Sequence, residues 1–201
     1  MLLERFVNGR ARSNAYVYAP TDEGDRPALL VDAGVGAGDK VIDLVAAEGL
    51  TPKAVVLTHG HPDHIWTARQ LSDRYEVPAY IHPRDVRWFL VRWPQPRRLA
   101  TVHGGGKPQA GDFDIDVLHT PGHSQGSVCF VVEDLCFSGD TVMSQTLGQW
   151  RFPGGSRSAL RESIRTKLLT LPDELQLLPG HGPSTTVGAE RGLWTSFTKG
   201  E

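Results

Sequence analysis

The chain alternates short apolar runs with polar punctuation, and the period of each run predicts its element. Leu2 to Val7, Ala15 to Ala19 and Ala28 to Asp32 read as strands, and Asp39 to Glu48 has helical spacing through Val41, Leu44 and Val45. Ala54 to Leu57 is apolar at every position, the form expected of a strand covered on both faces. Beyond it the pattern predicts a helix from about Ile65 to Arg74, a strand over Ala79 to Ile81 and an aromatic, basic helical segment from Arg84 to Arg92. The second half is richer in strands. Asp114 to Leu118, Ser127 to Val132 and Leu135 to Ser138 predict a meander, followed by a helix over Ser158 to Leu169 and a strand over Leu175 to Leu178. Strands interleaved with covering helices predict an α/β fold of two packed sheets with helices outside.

Composition narrows the function classes. A chain of 201 residues, 39% hydrophobic and 22% charged, suits one folded domain, 1–201, with a core that needs no disulfide. The net charge of -2 names no partner and argues against a large nucleic-acid footprint. No apolar run approaches the length of a membrane span, and Met1 to Arg10 lacks the pattern of a secretory signal, so the expectation is a cytoplasmic protein with no membrane partner. Cys129 and Cys136 fall in strand-like stretches and read as buried, inert thiols.

The chemistry concentrates in Thr58 to His64, T-H-G-H-P-D-H, which places three imidazoles and a carboxylate at the end of a buried strand. Gly60 and Pro62 oppose a helix, and Pro62 holds His61 extended, so His59 and His61 project to the same side and can share one metal. After the proline the chain turns, and Asp63 and His64 leave in another direction, able to face a second ion. A structural alternative makes Asp63 a helix cap and the histidines surface loop residues. Three further polar residues sit at glycine-containing turns after apolar strands: His123 in T-P-G-H, Asp140 in S-G-D-T and His181 in P-G-H-G. His119, at a strand end, reads as structural or as support for a ligand loop, and His82 and His103 read as loop residues.

The order His-x-His-x-Asp-His, then His, Asp and His, resembles the signature of the metallo-β-lactamase superfamily over most of the chain. The resemblance implies an αββα sandwich, two mixed sheets with helices on the outer faces and a metal site at one edge. It implies that His59, His61 and His123 hold one metal, that Asp63, His64 and His181 hold a second, and that Asp140 bridges them. Val31-Asp32-Ala33-Gly34 matches a family element in which Asp32 orients the ligand loop. Imidazole and carboxylate donors suit two divalent ions, zinc first, with iron or manganese accepted by the same set. Such a pair lowers the pKa of water from about 15.7 to about 7 and can hold a bridging hydroxide as nucleophile. Asp63 and Asp140 are then the catalytic carboxylates, Asp63 aligning the hydroxide while a metal stabilises the oxyanion.

Within that superfamily the chain resembles the short, type I hydroxyacylglutathione hydrolases related to glyoxalase II. The resemblance rests on Phe152-Pro153-Gly154-Gly155, on Leu178-Pro179-Gly180-His181-Gly182-Pro183 and on Thr185-Thr186-Val187-Gly188-Ala189-Glu190-Arg191. It implies hydrolysis of a small 2-hydroxyacyl thioester, a small-molecule substrate. The larger glyoxalase II enzymes add a helical glutathione-binding domain for which this chain is too short. Where relatives have Gly-Arg-Thr-Asp, this sequence has Gly148-Gln149-Trp150-Arg151, so substrate contacts in that loop do not carry over. Arg87, Trp150 and Arg151 are candidates for substrate binding, although Trp150 reads first as packing and then as a lid. Arg84 to Arg98 interleaves arginine with Trp88, Phe89 and Trp93 and reads first as an amphipathic helix with aromatics inward, then as a lid over an anionic substrate, then as a nucleic-acid surface.

The same string occurs in persulfide dioxygenases, which would place a single iron on His59, His123 and Asp140. Lactone, β-lactam and phosphodiester hydrolysis also remain open, because a metal core does not choose a substrate, and an idle binding protein on this fold is the third class. The sequence leaves the oligomeric state open.

Overall fold

The computed structural model describes residues 1–21, 23–92 and 94–199. The chain opens with β1 (Leu2–Asn8), β2 (Ser13–Ala19) and β3 (Pro27–Val31), then α1 (Ala37–Ala47) and β4 (Thr51–Val56). Two short helices, α2 (Pro62–Ile65) and α3 (Ala68–Tyr75), lead to β5 (Ala79–Ile81), a 3₁₀ turn (Pro83–Asp85), α4 (Arg87–Arg92) and β6 (Leu99–Thr101). The second half contains β7 (Asp116–His119), β8 (Val128–Val132) and β9 (Leu135–Gly139), then a small hairpin of β10 (Val142–Met143) and β11 (Thr146–Leu147). It closes with α5 (Arg157–Ser163), a π turn (Ile164–Leu168), β12 (Gln176–Pro179), β13 (Thr185–Thr186) and α6 (Val187–Lys199).

Strands β1 to β6 form one sheet in chain order, antiparallel from β1 to β3 and parallel from β3 to β6. The second sheet runs β13-β12-β9-β8-β7, antiparallel except where β12 lies parallel to β9. Period-two alternation explains the layering. In β3, Leu29 and Val31 enter the core between the sheets, whereas Ala28 and Leu30 face the layer that also holds Val41, Val45 and Leu71 of α1 and α3. In β8 and β9, Phe130 and Phe137 enter the core between the sheets, whereas Cys129 and Cys136 face Leu160 and Trp194 of α5 and α6. Both thiols are buried and free. The architecture is the expected αββα sandwich of two mixed sheets.

Several boundaries differ from the sequence-based expectation. The helix expected from Ile65 to Arg74 starts at Pro62 and breaks near Thr67, because the Thr67 N–H donates to Ala33 O at 2.7 Å. A tertiary hydrogen bond there replaces the helical one. The helix expected over Ser158 to Leu169 is capped by Ser156, whose hydroxyl accepts from the Ala159 N–H, and ends in the π turn. Helix α6 is absent from the expectation because its two glycines and β-branched residues weaken the helical signal. Val187, Glu190 and Trp194 are nevertheless buried along it, so tertiary packing supplies what propensity lacks.

Candidate metal centre

Five of the seven expected ligands lie in loops beyond the carboxyl end of a strand, and Asp63 and His64 lie in the short helix α2 that follows. His59 and His61 follow β4, His123 follows β7, Asp140 follows β9 and His181 follows β12. His61 is extended at φ -68°, ψ 147° and Pro62 starts α2, as the proline requires, so Asp63 and His64 turn away on the first helical residues. Gly60 and Gly180 are fixed by close approach. A Cβ at Gly60 would collide with the Trp88 ring and the Asp85 carbonyl, and one at Gly180 would collide with Asp140 Oδ1.

The donor atoms fall into two sets. One atom each from His59, His61 and His123 lie within 4.8 Å of one another, as do one each from Asp63, His64 and His181. His61 Nδ1 faces His123 Nε2 at 2.8 Å, and His64 Nε2 faces His181 Nε2 at 3.4 Å. Asp140 stands between the sets, Oδ2 at 3.5 Å from His123 Nε2 and 3.4 Å from His181 Nε2, with Oδ1 at 3.5 Å from His64 Nε2. The structure thus brings together all seven residues, and a third group of donors, from His59, His64 and Asp140, also lies within 4.8 Å and overlaps both sets. His59 Nε2 and Asp140 Oδ1 are buried without a hydrogen-bond partner. Such orphaned atoms are costly unless a cation completes them, and a thiolate-free imidazole and carboxylate set fits a divalent one.

Electrostatics separate the two sets. Burial and the surrounding imidazoles hold His59 far below its ordinary value, burial and His123 hold His61 down to about 4, and burial lowers His123. In the other set burial opposes protonation, but the carboxylates of Asp140 and Asp32 push His64 up to about 9. Against the same penalty, hydrogen bonds to Asp140 and Asp63 push His181 up to about 10. The first set therefore offers neutral imidazoles at pH 7, while the second holds protons that a cation would displace.

Two buried aspartates fix the ligand loops. Asp32, at φ 57°, accepts from the Thr58 N–H at 2.8 Å and pairs with His64 Nδ1 at 2.8 Å, leaving His64 Nε2 for the centre. Asp85 is fully buried; its Oδ2 accepts from the Gly60 N–H at 2.9 Å and the Ser124 hydroxyl at 2.6 Å, and its Oδ1 from the Gly126 N–H at 3.0 Å. It joins the loop of His59 and His61 to the loop of His123. His123 Nδ1 donates to Gln149 O at 2.8 Å, so Gln149 contributes through its backbone, whatever its side chain.

Beside the donors lies a cavity of about 430 Å³ lined by His61, Pro62, Asp63, Trp88, Phe152 and Pro153 together with His123, Asp140 and His181. Trp88 and Phe152 stand edge-on to the His61 ring at 5.4 and 5.8 Å. Phe89 is buried in the core as the amphipathic reading expects, but Trp88 turns to the cavity; Trp93 and the side chain of Val91 lie outside the described residues. Of the three candidates for substrate binding, Arg87 stacks over Trp88 at 5.8 Å beside Gly154. Trp150 packs on Phe197 at 5.7 Å, away from the cavity lining, and Arg151 is exposed and not part of that lining. His82 is a loop residue, as expected, but a buried one: it stacks on His119 at 4.1 Å, and His119 Nε2 donates to Gln125 O in the His123 loop. His103 is exposed, as a loop residue should be. Sequence reasoning missed Asp85, whose one signal was an acid in a basic, aromatic segment, and it named Trp88, Phe152 and Pro153 without placing them beside the donors.

No helix among the described residues is long and apolar enough to cross a membrane. A family model described as the metallo-beta-lactamase superfamily matches residues 8–181. The probable metallo-hydrolase YqgX of Bacillus subtilis is 34% identical, with 95% of each chain covered. The hydroxyacylglutathione hydrolase GloC of Haemophilus influenzae is 30% identical, over 83% of this chain and 85% of its own. Among solved structures, the B3 metallo-beta-lactamase BLEG-1 superposes with a TM-score of 0.82 at 32% identity, covering 95% of this chain and 97% of its own. ETHE1 from Myxococcus xanthus gives 0.84 at 26% over 100% and 86%, and TTHA1623 in a di-iron-bound form gives 0.78 at 32% over 94% and 96%. With the seven donors gathered at the strand ends of an αββα sandwich, these similarities establish that the chain belongs to the metallo-beta-lactamase superfamily.

Proposed function

We propose that the protein is a metal-dependent hydrolase of small acyl thioesters, with 2-hydroxyacyl thioesters preferred, and that it uses two divalent cations, zinc first and iron or manganese as alternatives. His59, His61 and His123 would hold one, Asp63, His64 and His181 the other, and Asp140 both. When bound, such a pair supplies Lewis acidity and a water of lowered pKa.

The observation that carries the substrate class is the cavity lining. Apart from the proposed metal donors it offers Pro62, Trp88, Phe152 and Pro153, with no lysine, tyrosine, cysteine or further carboxyl among the described residues to protonate a leaving group. An amine leaving from an amide needs that proton; a thiol, with a pKa near about 8.5, departs as thiolate without it. Trp88, Phe152 and Pro153 seat the acyl group and exclude water. Asp63 lines the cavity, and since its Oδ2 faces His181 and His64, its other oxygen would accept the hydrogen bond that aligns the attacking water. The water oxygen bonds to the carbonyl carbon, the C–S bond breaks with its electron pair staying on sulfur, and the water protons pass to solvent. The name of GloC, a hydroxyacylglutathione hydrolase, supports the thioester reading, and that of YqgX supports the metallo-hydrolase alone.

The test is metal analysis of protein purified without chelator, followed by kcat/KM for lactoyl thioesters, lactones and bis-p-nitrophenyl phosphate. Two metals per chain, no oxygen uptake and preference for a thioester are expected. A single iron with oxygen uptake would support the dioxygenase alternative on His59, His123 and Asp140. A lactone or the diester ahead of every thioester by about 100-fold, or about 2.7 kcal/mol, would overturn the substrate class.

A further inference from the structure

His181 belongs to two depressions of opposite character. On one side is the aromatic cavity; on the other is a groove of about 420 Å³ lined by Arg5, Val7, Ala11, Arg12 and Asn14 of the β1–β2 hairpin and by Gly182 and Pro183. No carboxylate lines the groove, and among the described residues no carboxylate pairs with either of its arginines. Arg5 Nη1 donates to Gly182 O at 2.7 Å, which fastens the hairpin to the residue after His181. Arg12 is exposed on the hairpin turn at φ 57°, and Lys40 adds a further positive charge behind it through Asn8 Oδ1 at 3.1 Å. In a chain of net charge -2 this is a local concentration of uncompensated positive charge beside a proposed metal donor. Such a surface focuses an anion towards the centre.

We propose that this groove is the leaving-group subsite and that it takes a thiol carrier bearing a carboxylate or a phosphate. The inference rests on the thioester reading above and adds its orientation: acyl group against Trp88 and Phe152, carbonyl at the donor cluster, sulfur towards His181 and the anionic tail along Arg5 and Arg12. An apolar cavity and a basic groove that share His181 sort the two ends of the substrate by charge. Arginine forks match both carboxylate and phosphate oxygens, so the groove fixes the chemistry of the tail as anionic.

The experiment compares the metal-loaded enzyme on three lactoyl thioesters with a common acyl group: N-acetylcysteamine as neutral carrier, mercaptosuccinate as carboxylate carrier and phosphopantetheine as phosphate carrier. At low ionic strength at least one anionic carrier should show kcat/KM about 10-fold above the neutral one, and the better of the two identifies the tail. Arg12→Asn, chosen because asparagine tolerates the left-handed backbone, should lower that anionic-to-neutral ratio about 10-fold, whereas Arg165→Asn on the distant π turn leaves it unchanged. Equal kcat/KM for all three carriers, or a ratio untouched by Arg12→Asn, overturns the proposal. If no thioester turns over, the thioester reading fails, and the groove is judged by calorimetric titration with the S-methyl thioethers of mercaptosuccinate and phosphopantetheine. Binding weakened about 10-fold by Arg12→Asn then sustains an anion subsite, and no binding removes it.

Discussion

Asp32 and Asp85 are both buried carboxylates beside the ligand loops, yet they act at different distances from the donors. Asp32 pairs directly with a donor ring, His64 Nδ1, and with the Thr58 N–H. Asp85 touches no donor side chain; it holds the Gly60 N–H, the Ser124 hydroxyl and the Gly126 N–H, the scaffold of His59, His61 and His123. The difference follows from charge. The set beside Asp32 holds its histidines protonated, against burial, through surrounding carboxylates, and an anion there completes an ion pair. The set beside Asp85 is kept neutral by burial, so its carboxylate is satisfied by backbone and hydroxyl donors instead. One half of the cluster is therefore positioned by electrostatics and the other by loop geometry.

The largest effect should come from removing the residue common to both halves. Asp140→Ala is expected to lower kcat/KM by at least about 10³-fold and to reduce bound metal, with the circular dichroism spectrum retained; Asp63→Ala should match it in activity. Near-normal turnover in either variant, at full metal content, would mean the wrong carboxylates have been assigned.

The braces themselves should separate the halves. Asp32→Ala is expected to weaken the set of Asp63, His64 and His181 by about 10- to 100-fold in metal affinity, and the set of His59 less, since Asp32 reaches that ring only through Thr58 Oγ1. Asp85→Ala should do the reverse and also destabilise the fold by about 3 kcal/mol, since it leaves buried donors unpaired. Asp85→Asn, which keeps the shape and one acceptor, should recover part of both losses. Stepwise metal titration read alongside denaturant unfolding distinguishes these outcomes; identical titration curves for the two variants would erase the comparison.

The opposed shifts also predict how the metal-free protein responds to pH. His61, held at about 4, binds fewer protons folded than unfolded between about 4 and the ordinary histidine value of about 6.5, so stability rises with pH there. His64 and His181, at about 9 and about 10, bind more protons folded than unfolded above about 6.5. Their contribution is complete below that value and is lost as pH rises through 9 and 10. Stability of the metal-free protein should therefore peak near about pH 6.5, and metal should flatten the alkaline limb by replacing the protons. Thermal unfolding between pH 4 and 10, with and without chelator, measures both limbs.

The smallest expected effect concerns the two tryptophans. Trp88→Ala should raise KM about 10-fold for a bulky acyl group with stability little changed, whereas Trp150→Ala should leave KM alone and cost about 1–2 kcal/mol of packing. Equal KM values in the two variants would remove Trp88 from the acyl wall.

What the sequence alone determined was whatever is periodic or locally dense. Apolar runs marked Ala28 to Asp32, Ser127 to Val132 and Leu135 to Ser138 as strands, and the crowding of imidazoles in Thr58 to His64 marked the site, because no packing requirement produces that density; which residues of those strands face the other sheet was left to packing. Asp32 was legible through Val31-Asp32-Ala33-Gly34. Tertiary structure alone decided the rest. Asp85 lies 25 residues from Gly60 and 39 from Ser124, and Arg12 shares a groove with His181 because Arg5 and Asn14 tie the hairpin to Gly182, 177 and 168 residues away. The division of the histidines into neutral and protonated sets is likewise a property of burial and of which carboxylates stand nearby. Contacts between layers have no period along the chain, so the sequence names the groups that do chemistry and the fold determines their neighbours, charge state and walls.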